Sequence, residues 1–359
     1  MTKKIIFSAG GTGGHIFPSI KVMKHFFEKG YNVLIVTDIR GKNFIKDYPE
    51  FKSYILTSST TTKKNFFSKI LSLFIIFYSI LKSIIILKKE KPDLVFGFGG
   101  YVSFPISLAS KFFNIPLVIY ENNLVLGRAN RYLLPISKKI FLGKSIPVNF
   151  PEKYTSKVHK VGYILSEEIL NFVASEKIKN IKTFSILVLG GSQGAEIFGK
   201  IIPPAIKMIK EKGHEIEIHQ QCIESQKELL IEFYNKNNIK NNIFSFKDNI
   251  LNFISSSNLA ITRCGASSIA ELVQTLTPFI AIPLPHSMDN HQLLNAQYYK
   301  NKGCCWLIEE KNLNPKILFN LIIEIIKDKQ KLENVRINMK KSDSKNVYVK
   351  IEKEIKEFF

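Results

Sequence analysis

The stretch Ile261-Thr262-Arg263-Cys264-Gly265-Ala266-Ser267-Ser268-Ile269-Ala270-Glu271, with Phe279-Ile280-Ala281-Ile282-Pro283, Asp289-Asn290-His291-Gln292 and Asn295-Ala296 after it, decides how this chain folds. Leu259 to Thr262 has the character of a buried strand, and Ser268 onward favours helix. Between them, Gly265-Ala266-Ser267 is small enough for a ligand to approach the backbone. A strand that runs through such a turn into a helix aims free N–H groups, and the positive end of the helix dipole, at an anion such as a pyrophosphate. Glu271 falls in that helix's first turns, where a carboxylate can accept hydrogen bonds from both hydroxyls of a ribose. The second apolar run stops at Pro283 and Pro285 and delivers Asp289, Asn290, His291 and Gln292 into a following helix. That cluster suits a sugar held by several directional hydrogen bonds. Either piece alone also fits an ordinary αβ unit with a polar loop. Together, about twenty residues apart, they suit a nucleotide joined to a sugar.

The same strand–glycine–helix grammar recurs outward from this stretch. Ser185-Ile186-Leu187-Val188-Leu189 runs into Gly190-Gly191-Ser192-Gln193-Gly194-Ala195, with further strands expected at 215–219 and 243–246 and a helix after Asp248. At the other end, Ile5-Ile6-Phe7-Ser8-Ala9 runs into Gly10-Gly11-Thr12-Gly13-Gly14-His15, then a helix with Pro18 in its first turn, then the strand Val33-Leu34-Ile35-Val36 ending at Asp38. The echo predicts two similar α/β domains rather than a solenoid. Asp38 stands where a dinucleotide fold places its ribose-binding acid. The G-x-G-x-x-G spacing nevertheless fails, because Ile16 occupies the third glycine position. The doubled glycines predict a wide loop that admits a bulky diphosphate. His15, at the helix start, is a candidate general base or phosphate donor, against the plainer reading of a buried structural histidine. Gly97-Phe98-Gly99-Gly100-Tyr101-Val102-Ser103 forms a second glycine loop, and Glu121-Asn122-Asn123 with Gly127-Arg128-Ala129-Asn130 follows the strand Leu117-Val118-Ile119-Tyr120. Three polar loops at consecutive strand ends converge on one crevice, where open α/β sheets bind ligands. Residues 143–161 turn Pro-, Lys- and Ser-rich and read as an interdomain linker. The end, 347–359, reads as an amphipathic helix that packs back on the first domain.

With 359 residues, two domains are the natural expectation, and 45% hydrophobic residues supply ample core. The net charge of +21 points to phosphates, whether in nucleotide, anionic lipid or nucleic acid, but Ile, Lys and Asn are abundant throughout, so only local concentration counts. Such a concentration occurs at 60–91: seven lysines (63, 64, 69, 82, 88, 89, 91) against one acid, Glu90, around an apolar block from Ile70 to Leu87. On a helix, Ser68, Ser72, Ser79 and Ser83 share one stripe and nearly everything else is apolar. The 12 residues between Lys69 and Lys82 span about 18 Å, short of a roughly 30 Å hydrocarbon core. The next strand follows at once in the same sheet. The expected arrangement is a helix packed inward on one side and dipped into an anionic membrane surface on the other, against a fully buried helix as the alternative. The lysines do not interleave with aromatics on one face, which argues against nucleic acid. The four cysteines (222, 264, 304, 305) show no metal-ligand spacing and suit a reducing cytoplasm. The N-terminal apolar run is a first strand rather than a signal peptide. No metal and no cofactor is expected.

These motifs, in this order and spacing, resemble the MurG family of bacterial glycosyltransferases over nearly the whole chain. The resemblance implies a GT-B fold, two Rossmann-like α/β domains facing a central cleft: 1–163 for the acceptor and membrane, 164–340 for the UDP-sugar, and 341–359 as a helix returning to the first. It implies transfer of N-acetylglucosamine from UDP-N-acetylglucosamine to undecaprenyl-pyrophosphoryl-muramyl-pentapeptide (lipid I), giving lipid II for peptidoglycan at the cytoplasmic face of the plasma membrane, as a peripheral enzyme. Donor contacts would come from Ser192, Arg263, Gly265, Ala266, Ser267, Ser268, Ile269, Glu271, His291 and Gln292, with Thr12, Gly13, Gly14 and Asn123 from the first domain. Gly10, Gly11, Gly99, Gly100, Tyr101 and Asn130 would hold the acceptor diphosphate. His15 would take the proton of the acceptor 4-hydroxyl, with Glu121 next in line, and helix N-termini would replace a metal at the leaving UDP. One departure stands out. Where the family has Gly-Asn-Pro-Val-Arg after the linker, this chain has Gly162-Tyr163-Ile164-Leu165-Ser166, so the expected cation is missing: either a lysine such as Lys247 substitutes, or donor affinity is reduced, or the substrate differs. The runner-up activities on the same fold are transfer to a diacylglycerol acceptor and UDP-sugar 2-epimerisation. The second leaves 60–91 without a role.

Overall fold

The structure, a computed structural model, describes residues 2–11, 13–57, 66–172, 183–191, 195–245, 250–341 and 346–359. The chain divides into two units, Met1–Leu165 with Lys345–Phe359, and Ser166–Ser344.

In the first unit the described strands are β1 (Lys4–Ser8), β2 (Asn32–Thr37), β3 (Lys52–Ile55), β4 (Leu94–Gly97), β5 (Leu117–Glu121), β6 (Lys139–Leu142) and β7 (Val158–Lys160). They pair in parallel in the order β3-β2-β1-β4-β5-β6-β7. Val, Ile, Leu and Phe fill β1, β2, β4 and β5 without alternation because helices cover both faces of a parallel sheet. The helices are α1 (Gly13–Glu28), α2 (Ile39–Ile45), α3 (Phe66–Glu90), α4 (Ser103–Ser110) and α5 (Arg128–Leu133). Strand order reverses between β1 and β4, so the loops after these two strands flank the crevice where such sheets bind ligands.

The linker expected at 143–161 is corrected. Its last residues form β7, the edge strand of the first sheet, after a 3₁₀ turn at Glu152–Lys157. Pro and Lys suit an edge strand and its approach as well as they suit a linker, and composition alone does not separate the two.

Crossover helix α3 is built inside out. Ser72, Ser79 and Ser83 are buried, while Phe67, Leu71, Leu73, Phe74, Phe77, Tyr78 and Ile85 are exposed. The serine hydroxyls are satisfied: Ser72 donates to the Ser68 carbonyl at 2.7 Å and Ser83 to that of Ser79 at 2.6 Å, within the helix, and Ser79 to that of Thr57, after β3, at 2.6 Å. Small, satisfied side chains let α3 lie close against α4, whose Ser103, Ser107 and Ser110 are also buried. The alternative of a fully buried helix is thereby overturned. Ile70–Glu90 is long and apolar enough to cross a membrane by length and composition, with mean hydropathy 2.5, yet 28% of that span is buried in the unit. At the last turn Ile86 and Leu87 enter the core. Glu90 accepts from Lys52 at 2.6 Å, Tyr54 at 2.5 Å and Lys4 at 3.3 Å. Burial would raise the Glu90 carboxyl, but these three partners hold it at about 2. The end of the helix is thus clamped to β1 and β3.

The second unit repeats the plan. Its described strands are β8 (Phe184–Leu189), β9 (Ile216–Gln221), β10 (Lys240–Phe244), β11 (Leu259–Thr262), β12 (Phe279–Ala281) and β13 (Trp306–Leu307), all parallel, in the order β10-β9-β8-β11-β12-β13. The strand expected at 243–246 begins earlier, at Lys240, because its first three residues are polar on an edge. Helices α6 (Glu167–Leu170), α7 (Glu196–Glu211), α8 (Lys227–Lys236), α9 (Leu251–Ser256), α10 (Ala266–Gln274) and α11 (His291–Asn301) follow in chain order. Here the reversal lies between β8 and β11. The C-terminal helix Val347–Ile355 belongs to the first unit, where Tyr348 stacks on His25 of α1 at 4.9 Å and Lys139 pairs with Glu354 at 2.8 Å.

Candidate active site

In the first unit, three loops meet at the carboxyl ends of β1, β4 and β5. Gly100 has φ +80°, and a Cβ on it would stand 2.5 Å from the Gly10 carbonyl oxygen, so the two glycine loops touch backbone to backbone. Gly99, at φ +93°, leaves room for the His15 ring, whose Cε1 would stand 3.0 Å from a Cβ there. His15 is the third residue of α1 and half-buried. The glycines therefore set the place of the candidate base as well as the shape of the loop. Asn122 ties the third loop in by donating to the Gly14 carbonyl at 3.1 Å.

Glu121 is 2% exposed and fully engaged. Its Oε1 accepts from the Asn123 backbone and side-chain amides, both at 3.1 Å, and Oε2 from Gly127 N at 2.9 Å and Asn130 Nδ2 at 3.0 Å. It organises the loop that presents Asn123. Asn130 is 1% exposed and its amide holds Glu121 and the Tyr120 carbonyl, which corrects its expected place against the acceptor. The Gly11 N–H is committed to the Asp38 carboxylate at 3.2 Å, so any part Gly11 plays toward the acceptor does not run through that N–H. Asp38 itself caps α2 rather than facing a ribose. Gly13 and Gly14 open α1, Tyr101 is half-buried, and Thr12 lies outside the described residues.

In the second unit, α10 starts at Ala266, two residues earlier than the helical character of Ser268 predicts, with Gly265 as its uncapped N-cap. Ser267 and Glu271, four apart, share one half-buried face, with Ser268 beside them. Ile269 is fully buried, so its side chain belongs to the core, and its backbone N–H donates to the Gly265 carbonyl at 3.1 Å. Gln292, at the start of α11, accepts from the backbone N–H of Cys264 and of Leu284, both at 3.0 Å, and so joins the ends of β11 and β12. Asn295 completes the join by donating to the Cys264 carbonyl at 3.1 Å. His291 donates Nδ1–H to the Met288 carbonyl at 2.8 Å, which turns Nε2 away as an acceptor. Asp289 and Asn290, at φ 51° and 54°, hold the loop in left-handed backbone just ahead of it.

Arg263 is the clear misassignment. Its guanidinium is 8% exposed, donates to the Ile282 and Pro283 carbonyls at 3.2 and 3.3 Å, pairs with Glu310 at 2.5 Å and lies 4.8 Å over the Phe198 ring. It is a strut beneath the turn. Gln221, which sequence reading missed, holds the glycine loop of β8 through its carbonyl, 3.1 Å from Gly190 N. Ser192 and Lys247 lie outside the described residues. At the departure from the family pattern, Tyr163, Ile164 and Leu165 are buried. The Tyr120 hydroxyl donates to the Gly162 carbonyl at 3.2 Å and accepts from Ile164 N at 3.3 Å. Ser166 starts α6.

Comparison with known proteins gives consistent results. The chain matches the glycosyltransferase family 28 N-terminal domain over residues 5–142 and the family 28 C-terminal domain over residues 185–351. It is 36% identical to the UDP-N-acetylglucosamine–N-acetylmuramyl-(pentapeptide) pyrophosphoryl-undecaprenol N-acetylglucosamine transferase of Pelagibacter ubique, over 97% of this chain and 96% of that one. It is 33% identical to the protein of the same name from Rickettsia canadensis, over 94% and 95%. The crystal structure of Acinetobacter baumannii MurG superposes with a TM-score of 0.82 at 25% identity, covering 99% of each chain.

Proposed function

The chain belongs to glycosyltransferase family 28, among the N-acetylglucosamine transferases of lipid I, and from that premise we infer that it moves N-acetylglucosamine from UDP to the muramyl 4-hydroxyl, converting lipid I to lipid II in peptidoglycan synthesis. Its fold is of the GT-B class. The observation that carries the reading is similarity along 97% of the chain, with every glycine loop inside a matched segment.

The residue roles we propose rest on the family resemblance and on where the structure puts these side chains. The N–H groups opening α10, with Ser267 and Ser268, take the donor diphosphate. Glu271, on the same face, takes the ribose, and His291 and the amide end of Gln292 take the sugar. His15 accepts the proton of the 4-hydroxyl as that oxygen attacks the anomeric carbon. The bond to the phosphate oxygen breaks, its electron pair leaves with UDP, and the anomeric centre inverts. Charge developing on UDP meets the helix N-terminus. The direct test uses purified protein, UDP-N-acetylglucosamine and a soluble lipid I analogue, with EDTA present. UDP release and a β-1,4-linked disaccharide are expected. UDP release without disaccharide, or release only on adding Mg²⁺, overturns the reading.

The apolar outer face of α3, ending in Lys88 and Lys89, supports a peripheral site on an anionic membrane at the cytoplasmic face of the plasma membrane. Phe74 and Phe77, 65% and 60% exposed, supply insertion, and the lysines supply attraction to lipid headgroups. Lys63 and Lys64, expected to contribute, lie outside the described residues. Changing Lys82, Lys88 and Lys89 to glutamine should weaken binding to anionic liposomes roughly tenfold or more, with turnover on a soluble acceptor retained. Equal binding to neutral and anionic liposomes removes the electrostatic part of the proposal. Resistance to both high salt and alkaline carbonate means the helix spans the bilayer.

A further inference from the structure

The glycine loop after β1 lies against a fixed negative charge. Asp38 is 3% exposed and accepts from Gly11 N at 3.2 and 3.3 Å through its two oxygens, and from Gly41 N at 2.9 Å. Burial alone would raise this carboxyl, but the Gly41, Arg40 and Gly11 hydrogen bonds hold it below the usual range, so it is ionised at neutral pH. A carboxylate one hydrogen bond from the loop, with no cation beside it, would repel any phosphate brought there.

Arg40 changes that balance. Its Nη2 and Nε donate to Asp38 Oδ2 at 3.0 and 3.3 Å, which fixes the plane of the guanidinium. Nη2 also lies 3.6 Å from where a Cβ on Gly11 would stand. The side chain is 55% exposed, and among the described residues Nη1 has no protein partner. One edge of the fork thus neutralises Asp38, and the other presents N–H donors in the geometry that grips phosphate oxygens two at a time. Gly11, lacking a side chain, leaves the approach open.

We propose that Arg40 is a substrate contact of the transfer reaction, binding the diphosphate of the lipid-linked acceptor beside the β1 glycine loop. This rests on the reading that the first unit's glycine loops hold that diphosphate. Arg40 supplies the anion donor that Gly11 N–H, committed to Asp38, does not.

The test uses the full chain, a soluble short-chain lipid I analogue and, as a probe of the site alone, a short isoprenyl diphosphate competing with it. Arg40→Gln should raise the acceptor KM about tenfold to a hundredfold, as loss of a charge-assisted contact does. The donor KM should hold and Arg40→Lys should recover part of the loss. A rise in donor KM alone overturns the assignment. Because Arg40→Gln also removes the cation beside Asp38, the double variant Asp38→Asn/Arg40→Gln separates contact from screening. A persisting acceptor defect supports direct contact, and a restored KM overturns it. If the isoprenyl diphosphate does not compete even with the unmodified protein, the underlying reading of the glycine loops fails. If it competes equally well with Arg40→Gln, only the assignment of Arg40 fails.

Discussion

Replacing His15 by alanine is expected to lower turnover by roughly 10²–10⁴-fold, with the donor KM changed by no more than about twofold. We propose His15 rather than Glu121 as the base because the Glu121 carboxylate is already engaged. A general base needs an open lone pair within reach of the proton it removes. The Glu121 oxygens each accept two N–H bonds at 2.9–3.1 Å, which fills the directions a hydroxyl would need. His15 is half-buried at the start of α1, and its ring lies in the space that Gly99 leaves. The companion variant Glu121→Gln puts an NH₂ group where two donors converge. It should cost stability, read as a lower melting temperature, through unpaired donors around Gly127 and Asn130. If His15→Ala raises only the acceptor KM and keeps turnover, His15 is a phosphate ligand and the base is elsewhere.

Much of this architecture is written locally, and therefore legible. An unbroken apolar run into paired glycines into a helix is a complete sentence in sequence, and β1, β4 and β8 each appear where that sentence occurs, with β11 running into a single glycine, Gly265. What stays hidden is direction. Arg263 sits beside the ligand turn in sequence, but which way its side chain leaves the strand end depends on Glu310 and Phe198, both remote in sequence. The serine stripe of α3 is visible from its spacing. That it faces inward runs against the ordinary polarity rule, because it depends on a second serine-bearing helix, α4. Asp38 and Arg40 follow the second strand, away from any glycine motif. Their action on Gly11 exists only because β1 and β2 are parallel neighbours with their carboxyl ends together. Arg263, the α3 serines and the Asp38–Arg40 pair share one feature: what sets their direction comes from an element remote in sequence.

The donor side offers the second large effect. Glu271→Ala should raise the donor KM by roughly tenfold to a hundredfold, the equivalent of about 1.5–3 kcal/mol for hydrogen bonds to a charged acceptor. The argument starts from α10. Its N-cap, Gly265, makes no side-chain cap hydrogen bond, and the start of a helix favours an anion. Glu271 is on the same helix face as Ser267, one turn further from that end. A diphosphate seated on the N-terminal N–H groups therefore places the attached ribose alongside the carboxylate. Glu271→Gln, which keeps one acceptor oxygen and loses the charge, should lie between alanine and the unmodified protein. A donor lacking the ribose 2′-hydroxyl sharpens the test. The unmodified protein should discriminate against it, and the alanine variant should lose that discrimination, since the two changes remove the same interaction. Additive effects of the variant and the deoxy donor, or a donor KM untouched by Glu271→Ala, place the ribose somewhere other than beside α10.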